Sequence, residues 1–197
     1  EALPVPVTLL GRFEGWRTRR SNPETSVTGG RLVINQPELV RDLSRLLGLF
    51  LSMAQEGHKL SREAEDQISQ ALPRTVESGA HVPGLWDKLR QILIAPHAPA
   101  ALRAMHSSGL LVRLFPEFAV IDSLVIRDFY HHYTVDAHSF MTIENIHRLR
   151  EAQHDWERPF AGVFSELEEP ELLLLSLLFH DVGKGMPGDD HVVTGLQ

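Results

Sequence analysis

The sequence predicts a mainly α protein: a helical bundle, preceded by a helical linker and a short extended N-terminal segment. Three observations carry that reading. From residue 37 onward, apolar residues recur at three- and four-residue spacing. Proline and glycine punctuate that pattern at helix-length intervals. Short β-branched runs without helical spacing are confined to residues 1–36.

The elements follow in order. Residues 5–10 and 31–34 read as strands or extended arms, broken by Asn22-Pro23 and Gly29-Gly30. Pro37 suits a first helical turn, and Leu39, Val40, Leu43, Leu46, Leu47 and Phe50 mark one buried face up to a stop at Gly57. Ser61 is an N-cap for a second helix, which Pro73 is expected to interrupt. Residues 83–94 form a third, with Leu85, Trp86, Leu89, Ile92 and Leu93 on one side. Residues 99–106 form a fourth, stopped by Ser107-Ser108-Gly109, and residues 110–115 a short fifth, ended by Pro116. Residues 134–153 read as a long helix with Phe140, Ile143, Ile146 and Leu149 inward, followed by a polar connection over 151–159. Pro170-Glu171 opens a helix apolar nearly all round, which predicts a central position. Residue 189 onward reads as the start of another helix.

Bulk properties narrow the function. The chain has 197 residues, 43% apolar and 23% charged, an ordinary globular composition able to bury a core. It has no cysteine, which excludes disulfides and thiolate zinc sites and fits a reducing, cytoplasmic compartment. The net charge is −7, and only residues 17–20 are locally basic, so nucleic acid is not the expected partner. The longest apolar stretch, residues 172–179, is far short of the ~20 residues that cross a bilayer, and no signal peptide opens the chain. The first residue is Glu1 rather than Met, which predicts a piece of a longer protein.

The chemistry concentrates near the end. The apolar run Leu173-Leu174-Leu175-Ser176-Leu177-Leu178-Phe179 stops at His180-Asp181, then Val182-Gly183-Lys184-Gly185. Adjacent residues on a helix point roughly 100° apart. At a helix end both can still reach one ion. Upstream, Tyr130-His131-His132-Tyr133-Thr134-Val135-Asp136-Ala137-His138 offers a further imidazole early in a helix, and His138 is expected to face the pair. Imidazoles and a carboxylate without thiolate suit Mg, Mn, Fe or Zn. Lys184, one turn after His180, is a point charge suited to a phosphate. His191 is either a further ligand or a proton donor to a leaving group. His131 reads as structural and His132 as a loop residue. His58, His81, His97, His106, His147 and His154 read as surface or packing residues. Trp16, Trp86 and Trp156 read as core or interface anchors.

The two blocks, in this order and spacing, resemble the HD superfamily of metal-dependent phosphohydrolases. The likeness is greatest to the linker and HD region of bacterial PII uridylyltransferase/uridylyl-removing enzymes. That family carries an aromatic-His-x-Tyr-Thr-Val-Asp-Glu-His segment, a Leu-Phe-His-Asp-Ile-x-Lys-Gly segment and a Gly-Asp-His stretch. Residues 130–138, 178–185 and 188–191 are similar to them. The resemblance implies a bundle of HD-domain type, truncated. Residues 1–36 would be an arm, 37–109 a helical linker domain, and 110–197 the N-terminal part of an HD domain. It implies His138, His180 and Asp181 as ligands of a divalent metal, with Lys184 and His191 facing the phosphate. It implies hydrolysis of the phosphodiester joining UMP to a tyrosine of a PII-like signal protein, by a metal-activated water.

The chain departs from the family in three ways. Ala137 stands where the family has Glu, which removes half of a capping box and should weaken the helix start by ~1 kcal/mol. No Gly-Ser block with an Asp-x-Asp pair occurs, as a nucleotidyltransferase would need. HD sites also take an Asp from a later helix, and the chain ends at Gln197. The expected alternative is therefore a non-catalytic helical regulatory or interaction module with an incomplete site. A truncated bundle also exposes an apolar face, which predicts self-association.

Overall fold

The structure is a computed structural model that describes residues 23–76, 82–125, 133–152 and 154–186. The expected strand at 5–10, the basic run at 17–20, Trp16, His81, His131, His132, His191 and the helix expected from 189 lie outside the described residues.

The fold is mainly α, with one small sheet. Strands β1 (Thr25–Thr28) and β2 (Arg31–Ile34) form an antiparallel hairpin around Gly29-Gly30. Both glycines have positive φ, 58° and 77°, the combination that a tight type I′ turn requires. Strand β3 (Lys59–Leu60) adds in parallel beside β2.

Pro37 opens a 3-10 turn, Pro37–Arg41, rather than one continuous helix. The chain extends at Asp42, whose carboxylate accepts from the Arg45 amide at 3.1 Å. An aspartate that can cap a new helix competes with continuation of the old one. Helix α1 (Leu43–Glu56) then runs to Gly57, where φ is 75°. A Cβ there would also meet the His97 ring, so conformation and space both call for glycine.

Helix α2 (Arg62–Thr75) starts as expected, with Ser61 Oγ accepting from the Ala64 amide. It is not interrupted at Pro73 and continues to Thr75. Proline removes one hydrogen bond close to the helix end. Burial of Ile68, Leu72 and Val76 outweighs that loss. Helices α3 (Leu85–Ile94), α4 (Ala98–Ser107) and α5 (Leu110–Leu114) follow, then a 3-10 turn, Pro116–Val120. Helix α6 (Val135–Arg148) ends in a 3-10 turn, Leu149–Glu151. A helix absent from the sequence reading, α7 (Arg158–Ser165), begins inside the expected polar connection. Pro159 lies in its first turn, where proline starts a helix rather than ends one. Helix α8 (Pro170–Phe179) leads into a last 3-10 turn, Val182–Gly185.

Helix α1 packs on α3 and α4, α3 on α8, and α6 on both α4 and α8. One continuous apolar core runs from Leu32 to Leu178 and joins β2, β3 and, among the described residues, every α-helix except α7. The expectation that α8 is central needs correction. Leu174 and Leu178 are buried, but Leu172 and Leu173 are exposed. Trp86 and Trp156 are exposed too, so neither anchors this core. Among the described residues no helix is long and apolar enough to cross a membrane.

Candidate metal centre

The site forms where the end of α8 meets the first turn of α6. Helix α8 stops at His180 (φ −57°, ψ −26°), and Asp181 (φ −107°, ψ 7°) turns the chain into the final 3-10 turn. Phe179, just before the pair, packs edge-on against Phe115 at 5.1 Å and Phe118 at 5.9 Å between ring centroids. Those contacts set the rotation of the α8 end. Gly185 closes the turn against the 3-10 segment Pro116–Val120. A Cβ there would collide with the Val120 carbonyl, a backbone group with no freedom to yield.

Helix α6 presents His138 from its first turn. Thr134 is the N-cap by backbone geometry, yet its side chain makes no capping bond. With Ala137 in place of an acidic partner, the helix start is held by tertiary contact instead: the Val135 amide donates to the Leu124 carbonyl at 2.9 Å.

The structure brings four of the sequence-predicted residues together. The carboxylate of Asp181, 7% exposed, is the hub. Its Oδ2 lies 3.3 Å from His180 Nε2, 4.0 Å from His138 Nε2 and 2.8 Å from Lys184 Nζ. The two imidazole rings are 5.5 Å apart, tilted at 55°. His180 Nδ1 lies 2.7 Å from the Leu177 carbonyl; because a carbonyl only accepts, Nδ1 carries the proton and Nε2 of the neutral ring keeps its lone pair. A backbone carbonyl behind the outer ring nitrogen is the usual support of a ligating histidine. One ligand atom from each of His138, His180 and Asp181 lies within 4.8 Å of the other two. Two imidazoles and one carboxylate, with no thiolate, suit a divalent ion with open positions. Lys184 points back at Asp181, so here it is the countercharge of the buried carboxylate.

No protein-family model matches the chain. Its similarity is to curated proteins. It is 30% identical, over 96% of its own length, to the bifunctional uridylyltransferase/uridylyl-removing enzyme of Cereibacter sphaeroides. It is 42% identical over 49% of its length to the enzyme of that name from Thiobacillus denitrificans, and 29% identical over 77% to that of Haemophilus influenzae. The chain is related to this part of those enzymes. It spans 20%, 11% and 18% of their respective lengths.

Two of the histidines read as surface or packing residues prove to be more specialised. His147, near the other end of α6, is buried and donates from Nε2 to the Leu93 carbonyl at 2.8 Å. Burial, then the Arg150 guanidinium, push its pKa down to about 4, against the raising effect of the Leu93 bond. It is a neutral structural imidazole. His106, at the end of α4, faces two carboxylates, Asp122 at 3.1 Å and Asp136 at 3.7 Å. That grouping escaped the sequence reading because its members lie on three separate elements. On the sequence, Asp136 stands only as part of the segment leading to His138.

Proposed function

We propose that this chain carries the front half of an HD-type phosphodiester hydrolase centre. Its substrate would be a nucleotidyl phosphodiester such as UMP on a tyrosine of a PII-like signal protein, in the cytoplasm. The supporting observation is the convergence of His138, His180 and Asp181 from two helices, in a chain related to uridylyl-removing enzymes. A divalent cation held by these three residues would supply Lewis acidity and an acidic bound water.

The protein groups have separate tasks. His138 and His180 offer ring nitrogens, and Asp181 offers charge from a buried position where its strength is little screened. Lys184 fixes the Asp181 carboxylate and places an ammonium where a phosphate would approach. His191 is the candidate proton donor to the leaving tyrosine oxygen. HD centres also draw an Asp from a later helix, so the activity is assigned to the longer protein.

The test uses the full-length gene product with Mn2+. It is expected to hydrolyse bis-p-nitrophenyl phosphate and to release UMP from uridylylated PII, and Asp181→Asn should abolish both. Undiminished hydrolysis by Asp181→Asn would reject the reading.

One observation favours a second reading. Lys184 bonds the same Asp181 oxygen that both imidazoles face. A closed charge cluster of this kind could simply tie α6 to the end of α8 in a non-catalytic module. The difference in bound Mn2+ between the full-length protein and its Asp181→Asn variant after dialysis separates the two, because this second reading requires no ion at Asp181.

A further inference from the structure

The cluster at His106, Asp122 and Asp136 has an unbalanced charge. His106 Nε2 is 3.1 Å from Asp122 Oδ1, a hydrogen bond. Asp136 Oδ2 is 3.7 Å from the same nitrogen, beyond hydrogen-bond reach. Asp136 is only 7% exposed, and its Oδ1 is fully buried without a hydrogen-bond partner among the described residues. Asp181 is equally buried but has an ammonium at 2.8 Å. Among the described residues, neither Asp122 nor Asp136 has a Lys or Arg partner; the nearby Arg103 pairs with Glu144. One imidazole, even protonated, offsets only one of the two carboxylates. A buried carboxylate without a matching cation is disfavoured by the loss of its hydration.

The donor atoms are close enough to share one ion. Ligand atoms from the three residues lie within 4.8 Å of one another. Donors around a shared ion at the ~2.1 Å typical of nitrogen and oxygen ligands sit about 3.0–3.5 Å apart, near the two separations seen here. The His106 ring is held between Phe118 and Phe140, at 5.6 and 5.2 Å between centroids, so its nitrogen is aimed before any ion arrives. Asp122 is the open side, partly exposed and followed by Ser123 at a positive φ of 56°.

We propose that His106, Asp122 and Asp136 form a second divalent-cation site, separate from the one at His138, His180 and Asp181. Asp136 and His138 are two residues apart on α6, so they point about 200° from each other and serve opposite sides of the helix. One imidazole with two carboxylates suits Mn2+ or Zn2+. The ion neutralises the Asp136 carboxylate and clamps three segments: the end of α4, the turn after Val120 and the start of α6. That start lacks a side-chain cap, so the second ion stiffens the turn that presents His138.

The probe is Mn2+ added to the 197-residue chain, with binding counted by calorimetry and Mn2+ paramagnetic resonance. The Asp181→Asn chain is expected to keep one bound Mn2+ and a Mn2+-dependent rise in Tm. Adding Asp122→Asn or His106→Gln should remove the rise and weaken that binding by at least about tenfold, the lower end of what losing even an outer-shell partner costs. Absence of Mn2+ binding in Asp181→Asn overturns the proposal. So does residual binding that neither further substitution touches. If either variant loses its helical circular dichroism, anomalous diffraction from the Mn2+-soaked unmutated chain decides. A peak at His106 supports the site, and none there overturns it. Failure of the hydrolase reading leaves this result untouched, because the test runs with Asp181 already replaced.

Discussion

Asp181 and Asp136 sit in the same molecule at equal burial, each facing imidazole, yet the cationic groups around them differ. Asp181 has Lys184; Asp136 has no basic partner other than His106 among the described residues. The Lys184 ammonium reaches Asp181 from three residues on, through the 3-10 turn that Gly185 allows to lie against Val120. Among the described residues no such local device serves Asp136, whose imidazole partner His106 comes from distant α4. Burial alone therefore does not tell a settled carboxylate from one awaiting a cation. The identity and reach of the countercharge do.

The comparison can be broken in order of expected size. Lys184→Met should cost the metal-free chain about 3–4 kcal/mol in urea unfolding, because it strands a buried carboxylate. A loss below 1 kcal/mol would mean that the ammonium matters little and that the contrast drawn here is false.

Next in size is pH. His147 is neutral in the fold, with a pKa of about 4 against 6.5 for the free side chain. Between those values the unfolded chain binds more protons than the folded one. Its contribution is full above about pH 6.5, declines as pH falls and levels off below about 4, for at most about 3 kcal/mol. Urea midpoints across pH 4–7 check this. Comparisons of the two aspartates belong above pH 6.5, where this titration does not intrude.

The smallest effect has the opposite sign. Without divalent ions, Asp136→Asn should stabilise the chain by up to about 1 kcal/mol, since it removes an unbalanced buried charge and keeps the shape. With Mn2+ present the same substitution should destabilise, and that reversal sharpens the contrast with Asp181. Destabilisation in both conditions would show that the negative charge is already balanced.

Most of the helices were readable in the chain. Apolar spacing located α1 to α6 and α8, and Ser61 and Gly57 marked a start and a stop that the structure keeps. The misreadings share one cause. Local rules make Pro37 the start of one continuous helix, Pro73 an interruption and 151–159 a polar connection, whereas Asp42 capping, the burial of Ile68 and Leu72, and a helix opening at Arg158 decide the outcome. The all-apolar α8 looked central because composition reports how much of a helix tolerates burial, not how much is covered.

Local order in the chain determined which residues carry the chemistry at 180, 181 and 184, because neighbours along one turn are neighbours in space. It also determined where the helix bearing His138 lies. Tertiary packing alone decided that His138 meets Asp181 and that His106, Asp122 and Asp136 form a second cluster. Those distances depend on how α4, α6 and α8 pack and on where Phe118, Phe140 and Phe179 place their ends, which no spacing along a single helix encodes.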